Sequence, residues 1–171
     1  FTDTQDREGT VIGGRMPELH ELASMKADDF SGLRSIFASF IGEQYQKPPM
    51  YSAIKIDGKP LYEYARKGIS MDVTPRRIVI YSCEIHSISV DDGLTADFTV
   101  SCSKGTYIRT ICNDLGMKSG YGAHAKALVR TSCGPFRMEN AYSLEEIEEA
   151  VTRGELDSIL LPETQAITQL P

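Results

Sequence analysis

Apolar and polar side chains alternate through residues 76–90 and again through 94–102, on either side of Asp91-Asp92-Gly93. Alternation with period two puts one set of side chains on one face of a pleated strand, so the two runs predict an antiparallel hairpin with one buried face. A different period marks Phe30, Leu33, Phe37, Phe40 and Ile41. That spacing predicts a helix with one apolar stripe, Asp28 or Asp29 as its N-cap and Gly42 at its close. Pro48-Pro49 forces extended chain into residues 50–56, Asp57-Gly58 is a two-residue hairpin signal, and a short helix over 60–67 should stop at Gly68. Thr106 is placed to cap a helix through Leu115 that ends at Gly116. A glycine-rich loop, Ser119-Gly120-Tyr121-Gly122, then leads into strands over 125–131 and 136–138. Residues 2–12 read as a hairpin turning at Asp6-Arg7-Glu8-Gly9, and 16–25 are ambiguous, with a short helix as one reading. Ser143-Leu144-Glu145-Glu146 is a capping box opening a helix to Thr152. Strands and helices in blocks, joined by hairpins and without repeated βαβ units, predict an α+β fold: a mixed, largely antiparallel sheet with flanking helices.

The chain has 171 residues, 41% hydrophobic and 25% charged, which is enough for a core without disulfides and excludes disordered, collagen-like and low-complexity classes. No apolar run reaches the ~18 residues of a membrane span, so no membrane partner is expected. Cys83, Cys102, Cys112 and Cys133 contain no CxxC, and His20, His86 and His124 share no ligand spacing. Buried reduced thiols in a cytoplasmic protein, with neither metal nor organic cofactor, are the expectation. Phe1 stands where a leader would, in strand-like sequence, and the last residues stop on a Pro-bounded apolar stretch. The chain therefore reads as a fragment with material missing at both ends.

Net charge is −6, which alone argues against a nucleic-acid partner. The charge is segregated, however. Residues 47–77 carry seven basic side chains against three acidic, and residues 103–137 carry six against Asp114 alone. The stretches before, between and after them are acidic. Two basic blocks suit a surface on which distant segments meet phosphates, although a solvated lysine-bearing face gives the same pattern.

Three stretches stand out for chemistry. In Cys102-Ser103-Lys104-Gly105-Thr106-Tyr107-Ile108-Arg109-Thr110, cations crowd a helix N-terminus where the dipole disfavours them, and no acid follows before Asp114. A phosphate, or a carboxylate from a missing part of the chain, would compensate Arg109; two solvated cations are the plain alternative. Residues 51–68 interleave Tyr51, Tyr62 and Tyr64 with Lys55, Lys59, Arg66 and Lys67 on a hairpin and short helix, a combination that suits structured RNA. Here the basic residues read as functional and Tyr62 and Tyr64 as packing. In residues 122–131, Leu128 and Arg130 share one strand face that could line a base pocket, and His124 reads as a hydrogen-bonded structural histidine. Cys112 has no base at readable spacing.

These stretches, with Thr2-Asp3-Thr4-Gln5-Asp6 and Gln46-Lys47-Pro48-Pro49-Met50-Tyr51-Ser52-Ala53 before them, resemble the bacterial TruB-type tRNA pseudouridine synthases over nearly the whole chain. The resemblance implies an isomerase that converts the T-loop uridine of tRNA, position 55, to pseudouridine. It implies that residues 1–160 form part of the catalytic domain, with 48–78 as a thumb-like insertion gripping the T-arm. Residues 161–171 would then begin a linker to a small C-terminal RNA-binding domain. Tyr107 resembles the tyrosine that packs on the flipped uracil, Arg109 the partner of the catalytic aspartate, and Leu128 the apolar wall of the pocket. Lys55, Lys59, Arg66 and Lys67 would contact phosphates, with Tyr51, Lys104 and Arg130 as further substrate contacts. The family nucleophile lies on an upstream segment of G-x-L-D type, and that upstream segment is absent here. None of Asp3, Asp6, Asp57 or Asp114 takes that role, and the chain alone is expected to be inactive. A monomer is expected, with the T-arm of tRNA as partner. The alternative is a non-catalytic RNA-binding module on the same scaffold; a structural domain with incidental basic blocks is the third reading. Residues 15–28 depart from the family pattern.

Overall fold

The computed structural model describes residues 1–91 and 93–161, which fall into two compact units, residues 1–127 and 128–171. The sequence marked no boundary near residue 127. The expected linker, from residue 162 onward, lies outside the described residues.

In the first unit, residues 1–12 turn back on themselves through a Thr2–Val11 bridge and a bond from Asp3 N–H to the Thr10 carbonyl (3.1 Å). Helices α1 (Leu19–Ala27) and α2 (Ser31–Ala38) follow. The ambiguous stretch is thus helical. Phe30, and neither Asp28 nor Asp29, is the N-cap of α2: its left-handed backbone (φ 55°) accompanies burial of its ring. Asp28 accepts instead from the Ser31 hydroxyl (3.0 Å), and Asp29 pairs with Arg34 (3.2 Å). Strand β1 (Gly42–Gln46) comes next, a polar GEQYQ segment that no alternation announced.

Strands β2 (Lys55–Ile56) and β3 (Lys59–Pro60) form the predicted hairpin, with Asp57 and Gly58 both at positive φ (51° and 78°). Those dihedrals match the right-handed twist of the flanking strands. Helix α3 (Leu61–Ala65) continues from Pro60 and buries Leu61 completely. Strands β4 (Arg76–Ser89) and β5 (Thr95–Cys102) pair antiparallel as their alternation requires, and β1 joins the free edge of β4, giving the order β1-β4-β5. Mixed helix and antiparallel sheet is the α+β architecture expected.

Helix α4 (Ile108–Ser119) completes this unit. Phe37 and Phe40 from the α2 segment, Ile78 and Ile80 from β4, and Ile111 and Leu115 from α4 form one buried cluster, with Phe37 and Phe98 edge to face at 4.9 Å. The helix departs from its expected ends at both sides. Thr106 does not cap it, because its hydroxyl donates to the Ser103 carbonyl (2.8 Å); Tyr107 is the N-cap. Nor does Gly116 stop it, since the helix runs on to Ser119 and Gly120 (φ 80°) is the C-cap. Gly116 is buried where the returning chain crosses the helix: a Cβ there would fall on Ala123 N and Gly122 C. The Gly122 N–H donates to the Gly116 carbonyl (2.9 Å) at the crossing.

Residues 125–131 form no strand. Ala125 alone makes a parallel bridge, to Asp6, because the partner segment passes it for one residue only. In the second unit, β6 (Ser132–Cys133) and β7 (Phe136–Arg137) make a small hairpin, followed by α5 (Leu144–Arg153) and α6 (Leu156–Ile159). The capping box is present in full, with Ser143 Oγ accepting from Glu146 N–H (3.1 Å) and Glu146 accepting from Ser143 N–H (2.7 Å). Cys133 is exposed on the hairpin, against the expectation of burial, while Cys83, Cys102 and Cys112 are partly buried; all four are free thiols. Among the described residues no helix is long and apolar enough to cross a membrane.

Candidate functional site

The turn from β5 into α4 is pinned to the sheet. Ser103 N–H donates to the Val79 carbonyl (2.8 Å), Val79 N–H donates to Ser103 Oγ (2.9 Å), and Gly105 takes the positive φ (85°) that the turn needs. This delivers Tyr107 and Arg109 to the start of α4 with no acidic residue in its first turn.

Arg109 nevertheless finds a carboxylate and two carbonyls within the chain. Its Nη1 donates to Asp6 Oδ2 (2.8 Å) and to the Thr4 carbonyl (3.2 Å), and its Nη2 donates to the Tyr51 carbonyl (2.9 Å). The two charged side chains are 27% and 26% exposed. The sequence assigned Asp6 no part and sought the compensating carboxylate on an absent segment; the structure supplies it from Asp6, 103 positions away. Backbone pairing explains the reach. Ala125 N–H donates to the Gln5 carbonyl and Arg7 N–H to the Ala125 carbonyl, both at 3.0 Å, so the bridge aims Asp6 at Arg109.

Burial pushes the Asp6 carboxyl up, but hydrogen bonds from Thr4 Oγ1 (2.7 Å), Arg109 and Glu8 N–H, with the guanidinium charge, outweigh it and hold the group below its ordinary value. Two glutamine amides brace the same helix start. Thr110 Oγ1 donates to Gln5 Oε1 (2.7 Å), and the Gln46 carboxamide bonds both backbone groups of Tyr107. Glutamines in a loop and in a polar strand carry no periodic signal, so Asp6, Gln5 and Gln46 were legible only as members of matched motifs.

Tyr107 is half-buried, and Lys104 is exposed beside it on the turn. Tyr51 contributes its carbonyl to Arg109. Lys55, Lys59, Arg66 and Lys67 are all exposed on the β2–β3 hairpin and the end of α3. Arg66 lies over the Tyr62 ring at 5.3 Å, and Tyr64 donates its hydroxyl to the Ile56 carbonyl (3.2 Å), so both tyrosines pack as expected. Leu128 and Arg130 belong to the second unit, on exposed chain without regular secondary structure, with Leu128 59% exposed. The alternating strand that was to put them on one face is not formed. His124 is exposed and does not hold a core position. Burial pushes the Cys112 thiol up to about 11, which makes it a poor nucleophile at neutral pH. Among the described residues no three His, Cys, Asp or Glu side chains gather as a metal-ligating group.

Arg109 and Asp6 make a hydrogen-bonded charged pair at the start of the helix whose N-cap is the half-buried Tyr107. Such a group can orient a carboxylate or a planar base.

The sequence matches two family models in succession: TruB family pseudouridylate synthase (N terminal domain) over residues 1–108, and tRNA pseudouridylate synthase B C-terminal domain over 109–168. The models meet within α4, between Tyr107 and Arg109. Among curated relatives, tRNA pseudouridine synthase B of Halalkalibacterium halodurans is 41% identical over 99% of this chain and 54% of its own length. The protein of the same name from Streptococcus pneumoniae is 45% identical over 91% of this chain and 52% of its own. The chain thus spans about half the length of these relatives. A solved Cbf5-Nop10-Gar1 complex contains a chain with a TM-score of 0.62 and 27% identity, covering 82% of this chain and 39% of that one. On these matches, the chain belongs to the TruB family of pseudouridylate synthases.

Proposed function

We propose that this chain carries the RNA-gripping surface and part of the uridine pocket of a synthase that isomerises the T-loop uridine of tRNA, position 55, to pseudouridine. The observation that carries the reading is the Arg109–Asp6 pair beside Tyr107, built from the segments that match the family. Extruding a base from a folded loop costs a few kcal/mol, which stacking on an aromatic ring and phosphate contacts offset. Tyr107 supplies the ring. The exposed Lys55, Lys59, Arg66 and Lys67, with Lys104 and Arg130, supply cations for phosphates, and Leu128 an apolar contact to the base. Residues 48–78 act as the gripping insertion.

Arg109 has five N–H donors, and its described bonds use three. Two remain for a second carboxylate, the role of the family's G-x-L-D aspartate. The tetrapeptide Gly154-Glu155-Leu156-Asp157 at the junction of α5 and α6 lies downstream of the Thr2–Asp6 stretch, whereas the family's segment lies upstream of it, so the chain alone is taken to bind without turning over. The protein acts as a cytoplasmic monomer on the T-arm and needs no cofactor. A second reading, a non-catalytic RNA-binding module, is favoured by one observation: Asp6 already satisfies Arg109 within the chain.

The test compares a T-arm hairpin with a scrambled hairpin of equal length across a salt series. The proposal expects tighter binding of the T-arm with a steep salt slope, and no pseudouridine by mass-labelling of the RNA. Equal affinity for both hairpins would overturn it, and turnover by this chain alone would overturn the claim that the nucleophile is absent.

A further inference from the structure

Gln46 ends β1 and is 6% exposed. Its carboxamide closes a two-bond ring on a single residue: Nε2 donates to the Tyr107 carbonyl (3.1 Å), and Oε1 accepts from the Tyr107 N–H (2.8 Å). The side chain does what a neighbouring strand's backbone would do, 61 positions away in sequence.

Tyr107 needs this from outside. It lies past the end of β5 and before the first helical residue, at φ −96° and ψ 104°, with no capping side chain to hold it. Its carbonyl also accepts from Ile111 N–H (3.1 Å), the bond that opens α4. Fixing both peptide groups of one residue fixes the direction of its Cα–Cβ bond, and hence where its ring can stand. A buried amide is an expensive way to fill volume, because either end left unbonded costs about 1–3 kcal/mol. Here both ends are bonded, and to the residue whose ring the uridine-pocket reading assigns to the base.

We propose that Gln46 is a positioning residue that sets the Tyr107 ring against the substrate base. The proposal rests on the uridine-pocket reading given above, so its test must fail differently from that reading.

The experiment measures the affinity of the 171-residue chain for two T-arm hairpins, one with uridine and one with an abasic site at the target position. The ratio of the two isolates the base contact from the phosphate grip. Stacking of one base predicts a ratio of roughly tenfold for the unaltered protein. Gln46→Met keeps the volume and removes both bonds. It should bring the ratio close to one while leaving affinity for the abasic hairpin within about twofold. Phe37→Leu, in the core cluster, controls for lost stability and should keep the full ratio.

A ratio unchanged in Gln46→Met overturns the proposal. So does a parallel loss of affinity for both hairpins, which would make Gln46 merely structural, or a ratio lost equally in Phe37→Leu. A ratio of one in the unaltered protein removes the pocket reading itself, and this proposal with it.

Discussion

The start of α4 and the β2–β3–α3 insertion carry the same kind of side chain and treat it in opposite ways. At α4, Arg109 is held by a carboxylate and two carbonyls from segments more than 50 positions away, and it is mostly shielded from water. In the insertion, Lys55, Lys59 and Lys67 are exposed and enter no described ion pair, and Arg66 has only the Tyr62 ring. A paired, shielded cation fixes geometry and contributes little long-range field. A solvated cluster does the reverse, attracting a polyanion from a distance while specifying little about its shape.

The sharpest way to break the comparison is to remove the paired cation. In a synthase that includes a G-x-L-D segment, Arg109→Ala should lower turnover by a factor on the order of 10²–10³, the scale for losing one preorganised charged group, with hairpin affinity nearly intact. Single-turnover assays alongside filter binding separate the two. Normal turnover in that variant would place Arg109 outside the chemistry.

The next effect is on affinity. Replacing Lys55 and Lys59 by Ala should weaken T-arm binding by roughly tenfold at moderate salt and flatten the log–log salt slope by about 1.5, since each phosphate contact contributes roughly 0.7–0.9. Arg109→Ala should leave the slope unchanged. If the two variants alter the slope alike, the division between geometry and field fails.

Pairing at α4 also has a pH signature. The Asp6 carboxyl is held below its ordinary value in the folded chain, so folding disfavours its protonation. Its contribution is fully present above the unfolded-state pKa and is lost as pH falls through the lower folded value. Asp6→Asn should therefore cost about 1–2 kcal/mol near pH 7, a fall in Tm of about 2–8 °C, with the gap to the unaltered protein closing below about pH 4. A gap that does not narrow at all as pH falls below the ordinary carboxylate range would show that Asp6 acts through something other than its charge.

How far the sequence revealed these two regions follows from the range of the interactions that build them. The insertion was legible because its determinants are local: Asp57-Gly58 can take the paired positive φ values, and Pro60 is the N-cap of a short helix, which ends at Ala65 with Arg66 as its C-cap, short of the expected stop at Gly68. The β4–β5 hairpin was legible for the same reason, its alternation being a property of neighbours. At α4 the tyrosine and arginine could be picked out, but their partners could not. Asp6 reaches Arg109 only because the Gly122–Ala125 crossing of Gly116 brings a one-residue bridge alongside it, and nothing in the pattern of residues 1–12 predicts that bridge. β1 escaped notice because a five-residue strand with Glu43, Gln44 and Gln46 has no apolar face to announce it. The expected strand over 125–131 erred in the opposite direction, since alternation without an adjacent partner strand makes no ladder beyond the single bridge at Ala125.

The smallest effect tests whether pairing matters where water is plentiful. Lys47 and Asp72 form an ion pair at 2.8 Å at the base of the insertion, with side chains 57% and 96% exposed. The geometry is as short as that of Arg109 and Asp6, but both charges remain hydrated, and exposed pairs of this kind contribute little to stability. Asp72→Asn should leave Tm unchanged within measurement. It also frees Lys47, which lies in the same basic block as Lys55 and Lys59, so the salt slope for T-arm binding should steepen by less than one. An unchanged slope would place Lys47 off the RNA path and confine the gripping surface to the hairpin and α3. A large fall in Tm would mean that distance, rather than shielding, decides which cations are structural, and the contrast between the two regions would have to be redrawn on that basis.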